Sequence, residues 1–599
     1  MLTMSKKSPS ISRSNKKSSA PKEATLAPAQ PEPAWRKWGK MIVIALSLAI
    51  ILIDTTLLNV SLRNIIQDLN SNFTDIQWVI TIYTLVLAAL TITGGRLGDL
   101  YGRKRMFMLG AVLFAIGSYI ASISHNVGML LLGESIIEGI GAALMMPAAA
   151  SLLLTNFEGK DRAIGFAVFG ATAGAASAVG PILGGWLTSA YSWRWGFRIN
   201  IFVVLILLLG SLLIKDSRDT AEKKELDWIG VLLSSTGLLS LVFGIIQSSE
   251  YGWWIAKKAF SLGNVTLNFA PLSITPVAIA LGIVLLIFFA WWQLRRESLG
   301  HTPLVSLHLF ENRQFVSGMA VTAAISLSLT GLIFVFPIYY QAVHGLDAFH
   351  TGLALFPLSL TVFIVSPIAL IIARKVRPKP IIMAGLVITV LSILVMIFML
   401  KDGVTSQVLM PGFILFGIGM GLVQSQINNL TLSAVSGQYA GEASGVNNTM
   451  RQVGSSFGAA IIGATLFAMI ATQISSKISA DPVIPDAARA KIVSAAQESS
   501  RTGGFDQESR PTEIPAEFLQ QITKLPPNKR QAAIDFYRME QERVGYQVQR
   551  DVKSAITTAA RDTLWVALGF GILSVFIGLG LPNISSLMTD KPAKPQINH

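Results

Sequence analysis

The chain reads as an all-α polytopic membrane protein: two six-helix halves plus two extra linking spans, about 14 transmembrane helices. Three observations predict this. Hydrophobic residues make up 52% of the 599 residues and charged residues only 14%, a balance foreign to an ordinary soluble domain. Apolar runs near or above the ~20 residues that a helix needs to cross a bilayer recur along the chain. Basic residues collect at every second connection between those runs. The net charge of +14 follows this topology and forms no single stripe with interleaved aromatics, so no nucleic-acid partner is expected. With no cysteine and six scattered histidines, disulfides and thiolate chemistry are excluded and no metal or other cofactor is expected.

Taken in order, residues 1–38 are rich in Ser, Lys, Pro and Ala and lack apolar periodicity, which predicts a disordered tail. Its lysines, with Arg36, Lys37 and Lys40, place this end in the cytoplasm. Six spans follow in a first half, 39–214, with apolar runs at 41–62, 76–97, 106–124, 127–154, 162–189 and 197–214. A charged linker with two extra spans occupies 215–312 (apolar runs 227–247 and 273–294), and the first five spans of the second half occupy 313–473. Their runs lie at 315–342, 351–373, 380–400, 407–433 and 443–472. The polar stretch 474–555 is expected to be a large extracytoplasmic loop, with an amphipathic helix within Lys529–Lys553. The last span lies within 556–585, and 586–599 is expected to be a cytoplasmic tail. Alternation from a cytoplasmic start puts Arg103–Arg105, Lys215, Arg295, Arg296 and Arg374–Lys379 all inside, as an even span count requires. Arg374-Lys375-Val376-Arg377 follows the second span of the second half as Arg103–Arg105 follows that of the first, a weak echo of duplication.

The second and third spans are joined by Gly95-Arg96-Leu97-Gly98-Asp99-Leu100-Tyr101-Gly102-Arg103-Lys104-Arg105. Gly95 and Gly98 permit close helix approach, Gly102 permits a turn, and Asp99 can hold Arg103 or Lys104 or face a partner helix N-terminus. On charge alone this is equally an ordinary positive loop that anchors two spans. The spacing of Gly95, Asp99, Gly102, Arg103 and Lys104, however, resembles the loop signature of the major facilitator superfamily. The layout of six, two and six spans resembles its fourteen-span drug:proton antiporter branch over residues 39–585. The charge of Asp99 favours a helix N-terminus on the cytoplasmic side, which makes the start of the thirteenth span its expected docking point, and the resemblance implies that this contact latches the outward-open state.

Asp54 lies in the outer half of the first span. An unpaired carboxylate in hydrocarbon costs roughly 3 kcal/mol on insertion scales, so it should face a wet cavity or a partner. The segment around it resembles the first-span motif of the branch, which implies a role in proton coupling. In the fourth span Glu134 and Glu138 are one turn apart on one face. Two carboxylates that close in a low dielectric do not both ionise easily, so one is expected to take up a proton near neutral pH. The alternative is that they pair with a cation such as Arg451 and only orient helices. Ser135 stands where the family's fourth-span motif carries an arginine. In the fifth span, Gly180, Pro181, Gly184 and Gly185 suit tight backbone packing with a bend, and the string resembles the antiporter motif of the superfamily's exporters.

Arg451 lies roughly 15 Å into the thirteenth span by the helical rise, deep enough to need a carboxylate or a cavity. Gln424 and Asn428 of the twelfth span and Trp78 and Tyr83 of the second are further candidates for a substrate cavity, although buried amides more often bond neighbouring helices and Trp and Tyr near span ends more often anchor at the interface. The reading is a non-enzymatic, proton-driven exporter of hydrophobic or cationic compounds in the cell membrane, working by alternating access with the proton gradient as its energy source. The partners are the lipid bilayer, a small-molecule substrate and protons. An exporter dedicated to one lipid, siderophore or peptide, and a non-transporting receptor or scaffold acting through 474–555, are the competing readings.

Overall fold

The structure is a computed structural model that describes residues 33–71, 73–216, 225–257, 259–262, 265–267, 271–485, 489–495 and 526–583. The expected tails, the middle of the 215–226 linker and the centre of the 474–555 stretch lie largely outside those residues. Among the described residues, 14 helices are long and apolar enough to cross a membrane. The first six are α1 (Ala34–Asp68), α2 (Phe73–Tyr101), α3 (Arg103–Ser122), α4 (Val127–Asn156), α5 (Gly159–Ala190) and α6 (Arg194–Ser211). The linking pair is α7 (Trp228–Tyr251) and α8 (Ile274–Ser298). The remaining six are α9 (Arg313–His344), α10 (Ala348–Ala373), α11 (Pro378–Met399), α12 (Met410–Leu432), α13 (Ala440–Ala480) and α14 (Pro527–Leu579).

The helix starts follow local chemistry. Asn126, Asp227, Ser273, Asn312 and Asp347 each accept a hydrogen bond from a backbone N–H one or two residues inside the helix they precede, satisfying donors that a helix N-terminus otherwise leaves open. Gly102, with φ of 111°, breaks the chain between α2 and α3 in a conformation that disfavours any other residue. At the far end of α1, Asp68 accepts from Arg194 and from Trp193 Nε1 at 3.1 Å. Partial burial pushes the Asp68 carboxyl up, but those hydrogen bonds and the guanidinium charge outweigh it and hold the group below the usual carboxylate range.

Two connections carry structure beyond what the sequence reading specified. In 474–555, α13 runs on to Ala480, and α14 begins at Pro527, takes in the helix expected within Lys529–Lys553 and continues without a break through the last span. Ala, Gln, Glu and Arg are strong helix formers, and Val548 and Val552 carry the apolar face of the second core outward along α14, where Ile492 and Val493 join it. The connection between α7 and α8 carries a two-stranded antiparallel hairpin, β1 (Phe260–Leu262) with β2 (Val265–Leu267), fixed by Phe260 packing edge-on against Phe243 and Tyr251.

Lipid offers no hydrophobic drive for helices to associate, so packing here rests on close backbone approach. One core joins α1 to α6 and reaches over to Phe315, Leu432, Ala443 and Val446 at one end of the second half. A second joins α9 to α14. The halves meet chiefly where α2 packs on α13 and α5 packs on α10 and α12, while α7 packs on α8, α2 and α13. Asp227 locks the linking pair, accepting from Trp292 Nε1 at 3.0 Å and Gln293 Nε2 at 2.9 Å. Outward residues such as Leu209, Leu212, Ile287, Phe363 and Ile371 are exposed, as a lipid-facing surface requires.

Candidate functional site

Asp54, Glu134 and Glu138 come together. One carboxylate oxygen from each lies within 4.8 Å of the others, and Asp54 and Glu138 have no exposed surface while Glu134 has 2%. Asn200 of α6 bridges two of them: its Nδ2 donates to Asp54 Oδ1 at 2.7 Å and lies 3.2 Å from Ser118 Oγ and 3.3 Å from Glu138 Oε1. Asp54 Oδ2, Glu134 Oε2 and Glu138 Oε2 are buried without a hydrogen-bond partner, as is the Tyr83 hydroxyl. Among the described residues no Lys, Arg or His forms an ion pair with any of the three acids. The alternative partner Arg451 is elsewhere. Three carboxylates enclosed at this spacing cannot all be ionised, so they hold protons or a small cation. A protonated carboxyl also becomes a donor and satisfies a neighbouring orphan oxygen.

The surrounding helices set this geometry. Leu131–Glu138 is wound as a π-helix within α4, a local widening that often marks functional sites. α4 lies against α3 so closely there that a Cβ on Gly117 would fall 2.6 Å from Glu138 N and Gly133 O. Ser135 donates to the Val79 carbonyl at 2.7 Å and ties α4 to α2. Tyr83 is buried beside Gly139. On the other flank α5 presses on α1: a Cβ on Gly180 would fall 1.8 Å from Thr56 Oγ1, and one on Gly184 2.9 Å from Leu57 Cγ. Gly185 faces Phe349 of α10, and Pro181 sits where Gly352 approaches. The glycine-proline string therefore packs α1 beside Asp54 on one side and the second half on the other.

Asp99 is fully buried at the opposite end of α2 and joins the halves. Its Oδ1 accepts from Gly441 N and its Oδ2 from Glu442 N, both at 3.0 Å, which places a carboxylate on the N-terminus of α13. Arg103 pairs with Asp99 at 2.5 Å and donates to the Gly437 carbonyl at 2.7 Å. A Cβ on Gly95 would meet Gly441 O at 2.3 Å, so the two backbones touch. Lys104 contributes its backbone N–H, to Asp216 Oδ1 at 3.0 Å. Sequence reasoning missed the second pair, Arg96 with Glu442 at 2.5 Å, in which Glu442 Oε2 also accepts from Ser306 N at 3.0 Å. Arg96 lies inside the loop signature and Glu442 opens the thirteenth span, so an acid opposite a base one turn from the expected docking point was the available signal. Asn200, an amide within the apolar run of the sixth span, was another.

The cavity candidates divide. Trp78 stacks on Phe243 of α7 at 6.2 Å and so faces the linking pair. Asn428 accepts from Asn447 Nδ2 at 3.3 Å, linking α12 to α13. Gln424 and Arg451 lie one turn beyond that contact on the two antiparallel helices, and both are part-exposed. Arg451 Nη2 lies 2.9 Å from Met146 Sδ of α4.

The major facilitator superfamily sequence model matches residues 44–459. The probable actinorhodin transporter of Streptomyces coelicolor is 30% identical over 457 residues, covering 75% of this chain and 76% of that protein. The tetracenomycin C resistance and export protein of Streptomyces glaucescens is 28% identical over 72% of this chain and 76% of its own, and the multidrug efflux pump LfrA of Mycolicibacterium smegmatis 28% over 77% and 87%. Among solved structures, the human organic anion transporter MFSD10 shares the fold with a TM-score of 0.52 at 12% identity, over 92% of this chain and all of its own. With fourteen spans, two docked halves and a sequence match across most of its length, this multi-pass membrane protein belongs to the major facilitator superfamily of transporters.

Proposed function

We propose that the protein exports hydrophobic or amphipathic organic compounds across the cell membrane in exchange for protons, with both termini in the cytoplasm. The observation that carries this is the enclosed triad of Asp54, Glu134 and Glu138 with no cationic partner among the described residues. Its charge must change with the number of protons held, and each protonation state favours a different packing of α1, α4 and α6 around Asn200. A transporter moves one species against another only when binding of one changes the balance between its two forms. Protons entering from outside neutralise the triad and permit return to the inward-facing form; the Asp99 contact with α13 holds the outward-facing one. That the Streptomyces glaucescens relative is a resistance and export protein and the Mycolicibacterium relative an efflux pump supports the outward direction.

The test is dye transport by proteoliposomes of the full chain, with a panel of lipophilic fluorescent dyes that includes ethidium. An acid-inside gradient is expected to drive dye uptake, and the Glu134→Gln/Glu138→Gln protein to lose that dependence while still folding. Uptake driven equally by a sodium gradient would reassign the triad to a metal cation, and gradient-independent uptake would refute coupling.

A further inference from the structure

Arg451 sits about 16 Å along α13 from Ala440 by the helical rise, well inside a span that runs to Ala480. Among the described residues its guanidinium is in hydrogen-bond reach of a thioether alone, Met146 Sδ at 2.9 Å, and a thioether is a weak acceptor. No carboxylate of a described residue pairs with it. An arginine at this depth without an anion is costly, and such residues mark ligand or ion paths. The surroundings are polar on the same side. Gln424 is level with Arg451 across the α12–α13 pair, Asn428 and Asn447 follow one turn away, and Asn447 Oδ1 is a buried acceptor with no donor. Met146 belongs to α4 of the first half, so the guanidinium lies between the halves, where a cavity opening to either side must form.

We propose that Arg451, with Gln424 and Asn428 at the same level and one turn away on α12, binds an anionic group of the transported compound, a carboxylate or phenolate on an otherwise apolar molecule. This rests on the export reading and narrows its substrate class, against the sequence expectation of cationic compounds. The charges explain the choice. The three acids of the triad are enclosed, and none presents an exposed oxygen to a cationic substrate, whereas the part-exposed charge between the halves at Arg451 is positive. Guanidinium binds carboxylate through paired parallel N–H donors, and amides at the rim supply donors to a second oxygen.

The test compares a rhodamine dye carrying a free benzoate with its ethyl ester, by fluorescence anisotropy on the purified full chain at neutral pH. The wild type is expected to bind the acid at least about tenfold tighter than the ester, the worth of one charge-assisted hydrogen-bonded pair. Arg451→Gln removes the preference without weakening binding of the cationic ester, which is relieved of a like charge; a wild-type circular-dichroism melt shows that the variant is folded, and Arg451→Lys retains part of the preference. A wild type that binds the ester as tightly as the acid, or a glutamine variant that keeps the preference, overturns the proposal. Binding needs no gradient, so a protein that distinguishes the dyes but transports neither upholds the anion site and refutes the export reading instead.

Discussion

Replacing Asp99 by asparagine should undock α2 from α13. The pair of Asp99 with Arg103 is internal to the α2–α3 unit, so it persists when the halves part and cancels from the docking balance. What Asp99 itself contributes across the interface is its pair of bonds from the backbone N–H groups of Gly441 and Glu442, each 3.0 Å from a carboxylate oxygen; the Arg96–Glu442 pair crosses it independently. Asparagine keeps one acceptor, loses its charge and turns an amide N–H toward the other backbone donor. One hydrogen bond to a charged acceptor is lost and the second weakened, about 2–3 kcal/mol in all. That is a factor of about 30–150 in the docked-to-undocked ratio. Because the chain has no cysteine, spin labels at Tyr101→Cys and Gln438→Cys, both on exposed positions, report only this interface. Pulsed electron–electron distance measurements should give one short distance in the otherwise unchanged protein and a substantial longer population with Asp99→Asn. An unaltered distance distribution would refute the electrostatic docking argument, whatever happened to transport.

Other consequences are as direct. Asn200→Leu removes the shared donor of Asp54 and Glu138 and should abolish gradient-driven dye transport with little change in monodispersity on size exclusion; retained coupling would show that Asn200 is only a packing group. Gly180→Ala puts a Cβ 1.8 Å from Thr56 Oγ1, an overpacking of about 1–3 kcal/mol, and should lower the melting temperature in a way that adding Thr56→Ala partly restores. Asp227→Ala leaves Trp292 Nε1 and Gln293 Nε2 without their acceptor and should increase protease cleavage between α7 and α8. The Asp68 carboxyl is held below its usual range by Arg194 and Trp193 against the opposing effect of burial, so its contribution is present above the unfolded value and lost as pH falls through the folded one; the melting-temperature gap between wild type and Asp68→Asn should narrow on going from neutral pH to below ~4.

What sequence reasoning could read, and what it could not, divides along a physical line. Membrane solvation acts on each helix separately, so the spans, the basic connections and the isolated acids Asp54, Glu134 and Glu138 are visible as local anomalies of polarity. The docking of Asp99 on α13 follows from its charge, which favours a helix N-terminus on the same side of the membrane, while its role as a latch rests on the resemblance. Pairings between distant helices need the third dimension. Arg96, Glu442 and Asn200 stand out as polar residues in their own spans, but that Arg96 pairs with Glu442, Asn200 with Asp54 and Glu138, and Trp78 with Phe243 is set by the packing of distant helices. The π-wound turn at Leu131–Glu138 was equally hidden, because Gly133 packing on Gly117, not the intrinsic preference of those residues, accompanies it. Arg451 shows the opposite case. The sequence argued that an arginine so deep must meet a carboxylate or a cavity, with Glu134 and Glu138 as the alternative to a cavity. In the folded chain those acids are enclosed with Asp54, and Asn200 bonds Asp54 and Glu138, which leaves the guanidinium beside Met146. The two sets of charge are therefore kept apart by the fold, an arrangement that costs stability on both sides, and separate ligands for each, protons at the triad and an anion at Arg451, account for both costs at once.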